Sequence, residues 1–288
     1  MPINFVYSNE FLNYYEPTHP ESPERVKSIV EFLKKKGVGK FVTPEYCTEE
    51  DLMLVHTQQL IHQVKNGLLP YDPDTPNIKN IYKYASLSCG AAITACKLAF
   101  EGTTSFSLSR PPGHHAGKNS TSGFCYFNSI AVAVKKLALN QGFRVAILDI
   151  DGHHGNGTED IFKGEDNIII VSVHQKPSFP DTGNISFGNC YNFPVYKGSS
   201  AKTYLEKFTT ALSVIEEYSP DILGVSIGFD THCADPLLEL PLEDTHYYDI
   251  GKKIALLETK KFFVLEGGYS ISTIGNSCYC FVNGLTKE

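Results

Sequence analysis

Histidines, aspartates and one Gly-Gly-Tyr fall at five places in the 288-residue chain, each just after a short apolar run. The first run leads into Arg110-Pro111-Pro112-Gly113-His114-His115, and the second into Asp149-Ile150-Asp151-Gly152-His153-His154-Gly155-Asn156. The third ends in Ser172-Val173-His174, the fourth in Gly228-Phe229-Asp230-Thr231-His232, and the fifth in Glu266-Gly267-Gly268-Tyr269. Residues two apart on a strand share a face, so Asp149, Asp151 and His153 point the same way if the second run stays extended. Carboxylates crowded at the end of an apolar strand repel one another and lose hydration, so they need a cation or strong donors. Asp230 adds a third carboxylate, and Arg110 is the only lysine or arginine in these segments. Two aspartates and a histidine make three metal ligands and leave positions open for water and substrate, which is the catalytic arrangement.

His114-His115 is a tandem pair in a loop bounded by glycine and proline. Histidine titrates near neutrality, so such a pair can shuttle protons. Asp149 and Asn156 are natural partners for the second ring nitrogens. A carboxylate partner favours the charged imidazole and an amide does not, so the two histidines need not titrate alike. The glycines before Tyr269 let the backbone turn sharply and aim a phenol at a reacting oxygen. Taken singly, a helix-capping aspartate, a core histidine or a core tyrosine would explain any one of these residues. Five such endings in one chain are hard to ascribe to packing.

These groups need elements that bring them together. The runs 104–109, 145–150, 168–173, 222–227 and 262–265 are β-rich, and all but the serine-rich first are largely apolar without alternation, as expected of strands covered on both faces. Helical patterns lie between most of them, at about 129–140, 201–218 and 245–258. The alternation predicts an α/β fold, with a mostly parallel sheet flanked by helices, in one domain over residues 1–288. In such a sheet ligands bind beyond the carboxyl ends of the strands, where all five polar endings fall. Upstream, Ser22 and Pro23 open a helix that Gly37 closes, with Val26, Ile29, Val30 and Leu33 on one face. A second helix is expected from about Thr48 to Asn66, then a loop over 67–80, then a buried helix over 85–101.

Composition bounds the rest. Hydrophobic residues are 42% and charged residues 20%, an ordinary globular balance. A net charge of −7 disfavours direct nucleic-acid binding, which works by neutralising phosphates. No apolar run is long enough to cross a membrane. The opening Met1-Pro2-Ile3-Asn4 lacks a secretory pattern, and the eight cysteines lack CxxC spacing. The expectation is a cytoplasmic protein with free thiols.

The segments RPPGHHA (110–116), GFCYFN (123–128), DIDGHHGNGTED (149–160), VSVH (171–174), GFDTHCADP (228–236) and LEGGY (265–269) resemble the zinc-dependent histone deacetylases. They equally resemble the bacterial deacetylase-like and acetylpolyamine amidohydrolase relatives. HPESPER (19–25) looks like the family's early motif, so ordered matches cover nearly the whole chain. The resemblance implies the arginase/deacetylase fold. It also implies one zinc ion per chain, held by Asp151, His153 and Asp230, although this ligand set would also accept iron(II). His114 and His115 match the general acid/base pair, Tyr269 the transition-state tyrosine, and Asp149 and Asn156 the partners of the two histidines. A structural potassium ion is implied at Asp149, with backbone carbonyls of Asp151, His153, Ser172 and Val173. Gly123, Phe124 and Phe179 match the acyl-lysine channel, and Arg25 an arginine of the internal acetate-exit region.

The implied activity is hydrolytic removal of acyl groups from the ε-amino group of lysine in proteins or peptides. Acetylated polyamine is the alternative substrate. Leu237 stands where a polyamine-specific relative has a gatekeeping glutamate, and a leucine cannot pair with a cationic polyamine. Asp72 and Asp74 lie in a loop that holds the substrate backbone or amine in relatives. His232 stands where arginases place a ligand of a second metal, and is read as a rim residue. An arginase-like ureohydrolase and an inactive acyl-lysine binder are the remaining rivals.

Overall fold

The structure, a computed structural model, describes residues 3–286. Its framework is one eight-stranded sheet in which all neighbouring strands are parallel. The strands are β1 (Asn4–Val6), β2 (Lys40–Val42), β3 (Ser105–Ser107), β4 (Val145–Asp149), β5 (Ile168–Lys176), β6 (Cys190–Tyr196), β7 (Ile222–Ile227) and β8 (Lys260–Leu265). Across the sheet they run β2-β1-β3-β8-β7-β4-β5-β6. The five strands expected from the sequence are therefore contiguous, and the three unexpected ones sit outside them. The helices are α1 (Pro23–Lys36), α2 (Glu49–Met53), α3 (Gln58–Asn66), α4 (Ile81–Phe100), α5 (Ser129–Leu137), α6 (Asn156–Phe162), α7 (Ala201–Tyr218), α8 (Asp244–Ala255) and α9 (Ile271–Thr286).

Helix α1 follows its sequence signals. Pro23 sits in its first turn, Gly37 closes it in the left-handed region at φ 65°, and Val26, Ile29, Val30 and Leu33 are buried. Helix α4 is buried along most of its length, as its all-round apolar pattern requires. The single helix expected over 48–66 is two helices. The chain leaves α2 after Met53, turns through Leu54–His56, and restarts at α3. Thr57 causes the restart: its Oγ1 accepts the Leu60 N–H, so a second N-cap lies inside the expected helix.

Every residue of β4 and β7 is buried, as is all of β5 up to Lys176, so these strands are covered on both faces. Register pairs Asp149 of β4 with Ser172 of β5 on one side and Ser226 of β7 on the other. The polar endings of β3, β8, β7, β4 and β5 thus line one edge of the sheet, side by side.

Candidate active site

The loops that leave these five strands carry the site. His153 Nδ1 lies 2.8 Å from Asp230 Oδ2 and 3.2 Å from Asp151 Oδ1. Among the described residues, these three form the group able to hold a metal ion, with ligand atoms within 4.8 Å of one another. Each aspartate is anchored by backbone donors. Asp151 accepts the N–H of His153 at 2.8 Å and of Gly267 at 2.7 Å, and Asp230 accepts the N–H of Gly152 at 2.8 Å. Burial and the neighbouring Asp151 charge push the Asp230 carboxyl upward. Burial works against a charged His153, but the two carboxylates outweigh it and raise the imidazole to about 10. An imidazole nitrogen and two carboxylate oxygens converging in a buried, electronegative pocket fit a divalent cation. Arg110 does not neutralise them. Its guanidinium faces away, onto both carboxylate oxygens of Glu21 and the carbonyls of Phe11 and Tyr14.

The two histidines stand beside this group and differ. His114 Nδ1–H donates to Asp149 at 2.9 Å, and the Asp149 and Asp151 charges overcome burial to raise it to about 10. His115 Nδ1–H donates to the Asn156 amide oxygen at 2.7 Å. Burial, then the positive charges of His114 and His153, holds His115 well below its ordinary value. The rings lie 4.0 Å apart between centroids. Each Nδ1 thus meets the partner that the residue types suggested, a carboxylate for His114 and an amide for His115.

A cavity of about 270 Å³ leads to this point, lined by Asp74, His115, Gly123, Phe124, His153, Ser178, Phe179, Leu237 and Tyr269. Phe179 packs edge-on against His115, and Phe124 edge-on against Tyr269. Gly123 permits this closeness, because a Cβ there would come within 2.5 Å of the His115 ring and 2.8 Å of Phe179. Burial keeps the Tyr269 phenol protonated by pushing its pKa far upward. Arg25 lies beneath that ring at 4.8 Å, buried, and donates to the carbonyls of Gly268 and Glu266.

The other expected residues fall as follows. Asp72 lines a neighbouring cleft, and Asp74 is the carboxylate at the cavity mouth. Ser172 faces Asp149 across the strand pair, and its Oγ lies 2.8 Å from His174 Nδ1. His232 is not on the rim. It is buried, its ring is parallel to that of Tyr247, its Nδ1 accepts the Ala234 N–H, and its Nε2 faces Asp244. Its backbone bridges Leu242, whose N–H donates to the Thr231 carbonyl and whose carbonyl accepts the Cys233 N–H, and His232 is not among the metal-ligand group.

Two functional carboxylates carried no assigned role in the sequence reading. Glu266 accepts the N–H groups of Gly113 and His114 on one oxygen and the Ser226 hydroxyl on the other, so it fixes the backbone of the histidine pair. Asp235 accepts the N–H of Tyr269 at 2.7 Å and of Leu237 at 2.9 Å, which ties the phenol to the mouth. The signal for Glu266 was a carboxylate directly after a continuously apolar strand. Asp235 gave none beyond its nearness to Asp230.

The model of the histone deacetylase domain family matches residues 19–285. A probable deacetylase of Archaeoglobus fulgidus is 33% identical, with 94% of this chain and 82% of the relative covered. Acetylpolyamine amidohydrolase 1 of Pseudomonas aeruginosa is 36% identical, with 88% of each chain covered. The crystal structure of the HDA15 HD domain superposes with a TM-score of 0.91 at 30% identity, covering 99% of this chain and 88% of that one.

Proposed function

The chain belongs to the histone deacetylase family, and we propose that it hydrolyses the amide of an N-acylated amine, with the acetylated ε-amino group of a lysine in a protein or peptide as substrate. The observation that carries this reading is one cavity lined by His115, His153 and Tyr269, with Asp151 and Asp230 behind it. Two aromatic walls, Phe124 and Phe179, suit an aliphatic side chain that enters lengthwise.

Asp151, His153 and Asp230 would hold a single zinc ion. When bound, it supplies positive charge that polarises the acyl oxygen and acidifies a water. The chain's own residues do the rest. The Asn156 amide fixes His115 with its proton on Nδ1, which leaves Nε2 to take a proton from water as water adds to the acyl carbon. Tyr269 donates its phenolic proton in a hydrogen bond to the oxyanion that develops. The C–N bond then breaks, an imidazolium of the pair protonates the departing amine, and a carboxylate and a free amine result. Asp149, with carbonyls of Asp151, His153, Ser172 and Val173, would hold a structural potassium ion under the pair. The whole is a single catalytic domain over 1–288, working in the cytoplasm. Its described cysteines are free, and no described helix is long and apolar enough to cross a membrane.

Acetylated polyamine is the second reading. It is favoured by the Asp74 carboxylate at the mouth and by the relative named for that activity. Leu237, apolar and at the same mouth, weighs against it. A panel of acetyl-lysine peptides, acetylputrescine and acetylspermidine separates the two. Turnover of peptides with one metal ion per chain is the expected result. Hydrolysis of the polyamines alone would replace the first reading by the second, and no turnover on either would end both.

A further inference from the structure

Residues 108–128 carry both catalytic histidines yet contain no helix or strand. A loop that must hold two imidazoles in fixed relation therefore takes its rigidity from outside. Glu266 holds the N–H groups of Gly113 and His114, and the Thr158 N–H donates to the His114 carbonyl at 3.1 Å. Asn128 Nδ2 donates to the Ala116 carbonyl at 3.1 Å and to Thr158 Oγ1 at 3.0 Å. The next carbonyls along the loop, those of Gly117 and Lys118, are held by the turn between α2 and α3. His56 Nδ1 lies 2.9 Å from the Gly117 carbonyl, and the Thr57 N–H donates to the Lys118 carbonyl at 2.9 Å.

His56 is 3% exposed, so its hydrogen bonds are made away from water. Its other nitrogen, Nε2, accepts the Asn128 N–H at 2.9 Å. A carbonyl can only accept and an amide N–H can only donate, so the partners dictate the tautomer: Nδ1 carries the proton and Nε2 the lone pair. The ring also packs on Phe127. A phenylalanine would supply that packing, whereas only the imidazole joins the loop at Gly117 to the start of α5 at Asn128. Asn128 in turn N-caps α5 through its side chain.

We propose that His56 is a positioning residue for the reaction: its neutral imidazole braces the loop behind His115, so that the His114–His115 pair keeps its place against the metal-ligand group. The turnover part of this inference rests on the deacetylase reading, while the brace itself does not.

Two single-arm variants test it in the metal-loaded full chain. An asparagine places its Nδ2 near the imidazole Nδ1, so His56→Asn keeps the donor to Gly117. A glutamine reaches the Nε2 position, so His56→Gln keeps the acceptor for Asn128. Misplaced catalytic groups lose rate rather than affinity, so His56→Gln is expected to lower kcat by about 10–100-fold with KM within about twofold. His56→Asn is expected to stay within about threefold of wild type in both constants. Amide exchange measured by mass spectrometry should rise over residues 113–118 in His56→Gln and stay at the wild-type level in His56→Asn. Equal kcat and equal exchange in the two variants would overturn the proposal, as would a loss confined to KM. Failure of either variant to fold would make the ring a structural strut and overturn it as well. If the wild type turned over none of the panel substrates, the functional reading would fail, and the exchange measurement would still decide the brace.

Discussion

On the inner wall of the site, Glu21, Arg25, Arg110, His114, Asp149 and Glu266 are each no more than 4% exposed, and every one has a hydrogen-bonded partner. At the mouth, Phe179 is 45% exposed, Leu237 42%, and Asp74 faces solvent. The wall is a chain of charges that satisfy one another. Arg110 clasps Glu21, Glu21 clasps Arg25, and Arg25 holds the carbonyls around Gly267 under Tyr269. No such network fixes the mouth side chains. Groups that must be held to within a fraction of an ångström sit where burial and hydrogen bonds fix them, and groups that choose among substrates sit where change costs little. Substitutions should therefore have large effects on the wall and small effects at the mouth.

The largest effect is expected at Arg110. Burial opposes the Glu21 charge, but Arg110 and then Arg25 outweigh it and hold the carboxyl down to about 2. Arg110→Leu leaves buried Glu21 with Arg25 as its one remaining cation and the carbonyls of Phe11 and Tyr14 without their guanidinium donor, which costs about 3 kcal/mol, the lower end for a broken buried pair. Denaturant unfolding of the metal-loaded protein reads this directly. A loss below about 1 kcal/mol would show that the wall is not the rigid half.

Tyr269→Phe comes next, and it acts on rate instead of stability. Losing one oxyanion donor costs about 3–4 kcal/mol of barrier, or roughly 10²–10³ in kcat. Metal content should stay at the wild-type level, since the phenol is not among the metal-ligand group. A variant with wild-type kcat would remove the phenol from the reaction.

A third effect depends on pH. Burial lowers His56 to about 4, although its backbone hydrogen bonds oppose the shift, while the unfolded chain holds histidine near 6.5. As pH falls, the unfolded chain takes up the proton first. The stability from a neutral His56 is full above about pH 6.5 and is lost as pH falls toward 4, by at most about 3 kcal/mol. His174, also lowered by burial, to about 3, contributes over the same range. Thermal midpoints at pH 7, 6 and 5 should fall less steeply in His56→Asn, which has no group there to charge, while the His174 contribution cancels between the two proteins. Parallel slopes would mean that His56 is not held neutral.

The same division governs what could be read from the sequence. Four of the five central strands were legible because burial on both faces makes them largely apolar, while β3, Ser105-Phe106-Ser107, is buried but alternates, and the polar endings of all five stood out. The three missed strands lie outside them: β1 and β2 are three residues each, and β6 alternates in burial and contains Pro194. Helix α9 was also missed, since Gly275 and Gly284 interrupt its pattern. The structure uses Gly284 for contact, because a Cβ there would meet the Tyr248 carbonyl at 2.1 Å. In the site, the spacing of Asp149, Asp151 and His153 and the tandem histidines announced themselves. Asp235 and His56 did not, and Glu266 stood out only by its place after an apolar strand, because what each holds is a backbone N–H or carbonyl that the sequence does not set beside it. The burial of His232 was illegible for a related reason: standing two residues after Asp230 says nothing about which way a loop side chain turns.

The smallest effect is expected at Leu237, and it bears on the substrate. The Leu237 backbone is fixed by Asp235, which also holds Tyr269, so a new side chain at this position would project over the mouth without disturbing the phenol. A carboxylate there would attract the distal ammonium of an acetylated polyamine. The pair would form in solvent, where such contacts are worth about 0.2–1 kcal/mol. Leu237→Glu should thus raise kcat/KM for acetylspermidine by about 1.5–5-fold relative to an uncharged acetyl-lysine peptide, and the gain should fade as salt rises. Kinetics on both substrates at low and high ionic strength check this. A gain of a hundredfold or more would mean that the mouth is as dry and as fixed as the wall, and the contrast between them would fail.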